Sequence, residues 1–185
     1  MTEPLRIQRV TVVGAGAMGH GIAYVAALAG FDVCLHDADS GALDRARDRI
    51  TQTAAEGVKR QKLTEADRTA LLSRLTREVD LARAVEGADL VIEAIVETLA
   101  EKQRLFAAVE PRVGDNSILA TNTSSLSVGA IAAATRRPER VIGMHFFNPV
   151  HLMKLVEVVT HPGTAPAVRE AALQVARRMG KDPIV

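Results

Sequence analysis

Aromatic side chains are scarce in this chain of 185 residues: it has no tryptophan, one tyrosine and four phenylalanines. Proteins that hold single-stranded nucleic acid stack bases on such rings, so that class is excluded. Cysteine is rarer still. The lone Cys34 has no partner for an internal disulfide, and five histidines without a second cysteine give no zinc-ligand spacing, so no metal site is expected. An excess of charge is also missing. With 23 basic against 22 acidic residues the net charge is +1, which points to neither a nucleic-acid partner nor a membrane surface.

One long apolar run is present. Residues 10–30 read VTVVGAGAMGHGIAYVAALAG, and no side chain from residue 11 to residue 31 is charged. About 20 apolar residues suffice to cross a bilayer, and glycine-rich faces are one way membrane helices pack. Against a span, Gly14, Gly16, Gly19, Gly21 and Gly30 each cost helix propensity, His20 lies within the run, and no second apolar segment of that length follows. The amino-terminal MTEPLRIQRV also lacks the basic-then-apolar layout of a secretion signal. The chain is therefore expected to be cytoplasmic with no membrane partner. The run is expected to be a buried strand, a glycine turn and a buried helix joined end to end.

Beyond the run the period keeps alternating. The β-branched residues 9–13 end at Gly14 as a buried parallel strand does, and residues 18–30 read as a helix. Strands are expected again over 31–36, 89–94, 117–121, 140–145 and 155–160. Between them come Asp39 and Ser40 as caps, a charged helix over 42–62 interrupted near Gly57, and a helix opened by Thr64. A capping box at Thr98 and Glu101, a short helix capped by Ser127 and a closing helix over 166–179 complete the pattern. This alternation predicts a Rossmann-type, doubly wound α/β fold with a mostly parallel sheet, one domain over residues 1–185.

In such a fold Gly14-Ala15-Gly16-Ala17-Met18-Gly19 falls at the turn between strand and helix, where a glycine-rich backbone can approach a pyrophosphate at the positive end of a helix. Dense glycines also occur in close strand–helix contacts that bind nothing. Asp37 ends the next strand, where a carboxylate can accept both adenosine ribose hydroxyls and repel a 2′-phosphate, favouring NAD over NADP. The alternative is a simple helix cap. His145 ends a later strand beside the crevice and is a candidate base for alcohol oxidation, with Glu157 to fix its tautomer. A satisfied structural histidine remains the other reading.

Taken together, GAGAMGHGIA, Asp37, Glu93-Ala94-Ile95-Val96-Glu97, Asn122-Thr123-Ser124-Ser125-Leu126 and HFFNPVHLMKLVEVV resemble the NAD-binding domain of the 3-hydroxyacyl-CoA dehydrogenase family over essentially the whole chain. The resemblance implies oxidation of (S)-3-hydroxyacyl-CoA, such as 3-hydroxybutyryl-CoA, to 3-oxoacyl-CoA. It implies His145 as catalytic base, Glu157 as the carboxylate orienting it, and Ser124 as a contact to the substrate oxygen. Glu97, Lys102, Asn122 and Asn148 match cofactor contacts on the nicotinamide side. For Glu97 and Lys102 an ordinary surface helix start is the alternative, and for Ser124 a loop turn. Coenzyme A contacts are implied at Thr53 and Arg60, with Lys59 and Lys62 adding positive charge near a phosphate-rich ligand.

Members of the family carry a following helical domain that closes over the acyl chain and forms a homodimer. This chain stops at Lys181-Asp182-Pro183-Ile184-Val185, at the start of a strand leading toward that domain. An acyl-CoA dehydrogenase, or its cofactor domain, is thus the leading expectation. A non-catalytic NAD-binding protein and a dehydrogenase for a small free β-hydroxy acid are the alternatives.

Overall fold

The uncharged run resolves into two elements of a sheet-and-helix layer. In the computed structural model, which describes residues 5–185, β1 (Arg9–Val13) feeds the glycine turn, and α1 (Gly19–Leu28) follows, nearly all of it buried. Then come β2 (Asp32–His36), α2 (Ser40–Lys59), α3 (Glu65–Ser73), β3 (Leu75–Glu78), α4 (Leu81–Val85) and β4 (Leu90–Glu93). The second half holds α5 (Leu99–Val109), β5 (Ile118–Thr121), α6 (Val128–Ala132), β6 (Val141–Phe146), β7 (Leu155–Val159), α7 (Pro166–Arg178) and β8 (Asp182–Ile184). Among the described residues no helix is long and apolar enough to cross a membrane.

The strands form one eight-stranded sheet in the order β3-β2-β1-β4-β5-β6-β7-β8. The first six are mutually parallel, β7 runs antiparallel to β6, and β8 is parallel to β7. Successive side chains alternate between the faces, as pleating requires. Val12, Ile92, Ala120 and Ile142 enter the larger core beneath α1, α2 and α7, while Val13, Val91, Leu119 and Val141 enter the smaller one beneath α5 and α6. Burying one such aliphatic side chain stabilises by about 1.5–3 kcal/mol. The chain leaves β1 toward β2 on one side and reaches β4 on the other, so order reverses at β1. In doubly wound sheets ligands bind at such a point, outside the carboxyl ends of the strands.

Several local expectations are corrected. α2 runs unbroken through Gly57, because the glycine leaves room for Leu63, whose Cδ1 would lie 2.9 Å from an added Cβ. Thr98 caps α5 without a side-chain hydrogen bond, and Glu101 pairs instead with Arg104 at 2.6 Å. Thr64 does form a capping box, with Asp67, and Ser127 caps α6 by accepting from the Ala130 amide. β3 and α4 were not expected: β3 (LTRE) has no apolar alternation and is held as an edge strand by pairing with β2.

Candidate active site

The glycine turn is shaped by contacts that leave no room for side chains at two positions. Gly14 has φ +104° and an added Cβ would lie 2.6 Å from the Ala94 carbonyl, while one on Gly19 would lie 1.6 Å from the Gly14 carbonyl. Gly16 is different. A Cβ there would meet nothing within 4 Å, so its bare backbone faces open space. The amides of Gly16, Ala17 and Met18 find no protein acceptor among the described residues. Unpaired N–H groups at a helix start with an open approach fit a phosphate or pyrophosphate.

Asp37 follows β2 and closes the turn from the side. Its carboxylate accepts from the Ala15 amide at 2.9 Å and the Asp39 amide at 3.0 Å. The cap of α2 is Asp39, which accepts from the Gly41 amide at 2.8 Å, so Asp37 is not the helix cap. Two of about four acceptor positions on the Asp37 carboxylate are used, and the others are available to hydroxyls.

On the other side of β1, charged side chains are buried. Glu93, the last residue of β4, and Lys102 on α5 have no exposed side-chain surface and lie 2.6 Å apart. Glu93 also accepts from the Ile95 amide at 2.8 Å and from the Thr121 hydroxyl at 2.7 Å. The same ammonium lies 3.2 Å from Glu97, which accepts from the Thr123 hydroxyl and, at 3.0 Å, from the Ser124 amide. Partial burial pushes the Glu97 carboxyl up, but the Thr123 hydroxyl, the Ser124 amide and Lys102 together outweigh it and hold the group below its usual value. Lys102 is thus no surface residue. It touches the two acids and reaches the crevice through Glu97.

Asn122 clips the loop after β5 to β6: its amide donates to the Glu93 carbonyl at 2.8 Å, and its side-chain oxygen accepts from the Phe146 amide at 2.9 Å. β6 and β7 are antiparallel in a register that sets His145 opposite Glu157. Their side chains meet at 2.8 Å, Nδ1 to Oε2. A carboxylate only accepts, so Nδ1 carries a proton, and in the neutral ring the lone pair is on Nε2. The Phe147 ring lies 4.4 Å from the imidazole, and the exposed Asn148 follows, joined to Pro149 by a cis peptide bond.

Thr53 and Arg60 line one cavity of about 280 Å³, together with Lys62, Lys154 and Lys181, whereas Lys59 does not line it. The Thr53 hydroxyl donates to the Arg49 carbonyl at 2.8 Å, leaving its lone pairs to accept. Lys181 donates to the Val150 and Met153 carbonyls, and burial, followed by the nearby Lys154, lowers its pKa. His151 on the rim is likewise held low, by burial first and Lys181 second.

Sequence reading missed Glu93 and Thr121 as members of the site, and Lys154 and Lys181 in the cavity. The available signal was an acid ending an otherwise wholly apolar strand, since a buried carboxylate needs a cation or several donors.

A doubly wound sheet with free amides at its first turn and an acid closing the second strand defines a dinucleotide-binding domain. The family is narrower. The model of the 3-hydroxyacyl-CoA dehydrogenase NAD-binding domain matches residues 9–185, and the chain belongs to that family. It is similar to 3-hydroxyadipyl-CoA dehydrogenase of Escherichia coli K12, with 45% identity over 97% of this chain and 38% of the relative. It is also similar to a probable 3-hydroxybutyryl-CoA dehydrogenase of Bacillus subtilis, with 41% identity over 97% of this chain and 62% of that one. Among solved structures, 3-hydroxybutyryl-CoA dehydrogenase of Escherichia coli K12 superposes with a TM-score of 0.94 at 45% identity, over 97% of this chain and 38% of that one. The chain thus spans only part, between 38% and 62%, of the length of these relatives.

Proposed function

We propose that this chain is the cofactor half of an NAD-dependent dehydrogenase that oxidises (S)-3-hydroxyacyl-CoA to 3-oxoacyl-CoA, and that a helical domain beyond residue 185 closes the acyl site and forms the dimer. The observation that carries the reading is the His145–Glu157 pair, at 2.8 Å, which joins the carboxyl end of β6 to the middle of β7 in a dinucleotide-binding sheet. Names of the relatives support the acyl-CoA class.

When bound, NAD supplies the hydride acceptor. The chain's own residues do the rest. The amides of Gly16, Ala17 and Met18 hold the diphosphate, Asp37 takes the adenosine ribose, and Glu97, Asn122 and Asn148 bind the nicotinamide side, with Lys102 holding Glu97. Ser124 hydrogen-bonds the substrate oxygen, which directs the alcohol without adding charge. His145 takes the hydroxyl proton at Nε2 as the carbon-bound hydrogen departs with its electron pair, and Glu157 stabilises the imidazolium that forms. Release of that proton regenerates the base. Arg60, Lys62 and Thr53 offer cationic and hydroxyl contacts to the phosphates of coenzyme A, which favours a CoA thioester over a small free acid.

The test is NADH formation at 340 nm from 3-hydroxybutyryl-CoA and NAD. It is run on this chain and on a version carrying the C-terminal part of the Bacillus subtilis relative, with NADH binding followed by fluorescence. Turnover in the extended version is expected. NADH binding without turnover in either would replace the dehydrogenase reading with that of a non-catalytic NAD-binding protein.

A further inference from the structure

Glu93 has no part in the chemistry above, yet its side chain and that of Lys102 are wholly buried at the crevice edge of the sheet. A buried ion pair is a poor way to stabilise a core, because desolvation of both ions commonly cancels their attraction. This pair is also unbalanced. Two carboxylates, Glu93 and Glu97, share the one ammonium of Lys102, and among the described residues no second cation pairs with either acid. Glu93 accepts from the Ile95 amide, the Lys102 ammonium and the Thr121 hydroxyl. Two carboxylates against one ammonium leave the cluster one formal negative charge, and with Lys102 closest to the buried Glu93 the uncompensated carboxylate is that of Glu97, which stands partly exposed at the crevice.

Its place in the sheet says what that charge faces. With the diphosphate over the turn after β1 and the adenosine toward Asp37 on the β2 side, the remainder of a dinucleotide lies across the ends of β4 and β5. Glu93 and Thr121 are the last residues of those two strands. The nicotinamide ring is cationic when oxidised and neutral when reduced. We propose that Glu93 is a specificity-determining positioning residue: by fixing Lys102 and Glu97 and leaving the cluster net negative, it biases this site toward the oxidised cofactor over the reduced one. The proposal rests on the reading of the crevice given above.

The experiment is calorimetric titration of NAD, NADH and ADP-ribose, which lacks the nicotinamide ring, into the wild-type chain and the Glu93→Gln variant. Glutamine keeps the shape of the side chain and removes the charge. The expected result is that NAD affinity falls roughly tenfold more than NADH affinity while ADP-ribose affinity changes less than about twofold. An equal loss for all three ligands, or no change in the NAD to NADH ratio, overturns the proposal. Glu97→Gln removes the same unit of charge from a side chain that is 37% exposed and so spares the core. The ratio is expected to shift in the same direction there, and an unchanged ratio is again contrary. A wild-type chain that binds neither dinucleotide overturns the site reading along with the proposal, whereas binding of both with unmoved ratios overturns the proposal alone.

Discussion

On the β2 side of β1 the crevice is walled by backbone: three amides without protein acceptors, a glycine with open space where a side chain would be, and one carboxylate braced by two amides. On the β4 side it is walled by side chains: a buried acid–base–acid cluster, two threonine hydroxyls and an imidazole–carboxylate pair. The first arrangement suits a ligand part that does not change during a reaction, since fixed amides hold a diphosphate whatever happens elsewhere. The second suits the part where protons and charge move. Binding and chemistry should therefore be separable by mutation, and the two sides should fail in different ways.

The sharpest separation is expected at His145. Removing a general base costs about a hundredfold to ten-thousandfold in turnover, so His145→Ala in the extended protein should lower the 340 nm rate by that order while NADH affinity, read by fluorescence, stays within about twofold. Unchanged turnover would break the assignment. Next comes Gly19→Ala, whose Cβ would sit 1.6 Å from the Gly14 carbonyl. The turn must open, at a cost of roughly 1–3 kcal/mol or more, seen as a fall in Tm together with loss of NADH binding.

Gly16→Ala tests the same turn without the collision. Nothing lies within 4 Å of the added Cβ, so Tm should hold while NADH affinity drops about tenfold as the methyl fills the diphosphate approach. Equal Tm losses in the two glycine variants would show that the turn is only a packing device. The smallest effect is electrostatic. Glu97 is held below its usual value of 4.5 despite partial burial, so its contribution to stability is present above that value and lost as pH falls through the folded-state pKa. The Tm gap between wild type and Glu97→Gln should be full at neutral pH and close on acidification. Solvent at this part-exposed group keeps it to a fraction of a kcal/mol.

The same contrast explains what the sequence reveals. Spacing alone exposes Gly14, Gly16 and Gly19, because all three fall within one short turn between a strand and a helix, although only Gly14 and Gly19 are held by steric contacts. The strands carrying His145 and Glu157 were visible too, being β-branched runs separated by a short loop. The Glu93–Lys102 pair was not, since the amino end of α5 reads as an ordinary surface helix start. Its burial follows from how α5 packs on β4 and β5, and no local period records that. The edge strand β3 escaped for a related reason: its LTRE sequence becomes a strand only because β2 offers a partner. The start of α5 at Thr98 and its end at Val109 were legible, whereas the missing capping box there and the unbroken run of α2 through Gly57 depend on single side chains, Glu101 pairing with Arg104 and Leu63 packing over Gly57.

The central claim is that one dinucleotide lies across both walls, and a structure of this chain with NAD bound tests it most directly. The account predicts the diphosphate over the amides of Gly16, Ala17 and Met18, the adenosine ribose on Asp37, and the nicotinamide between Glu97 and Ser124 with its reactive face toward His145. A nicotinamide bound on the β2 side, or a diphosphate away from the glycine turn, would contradict it.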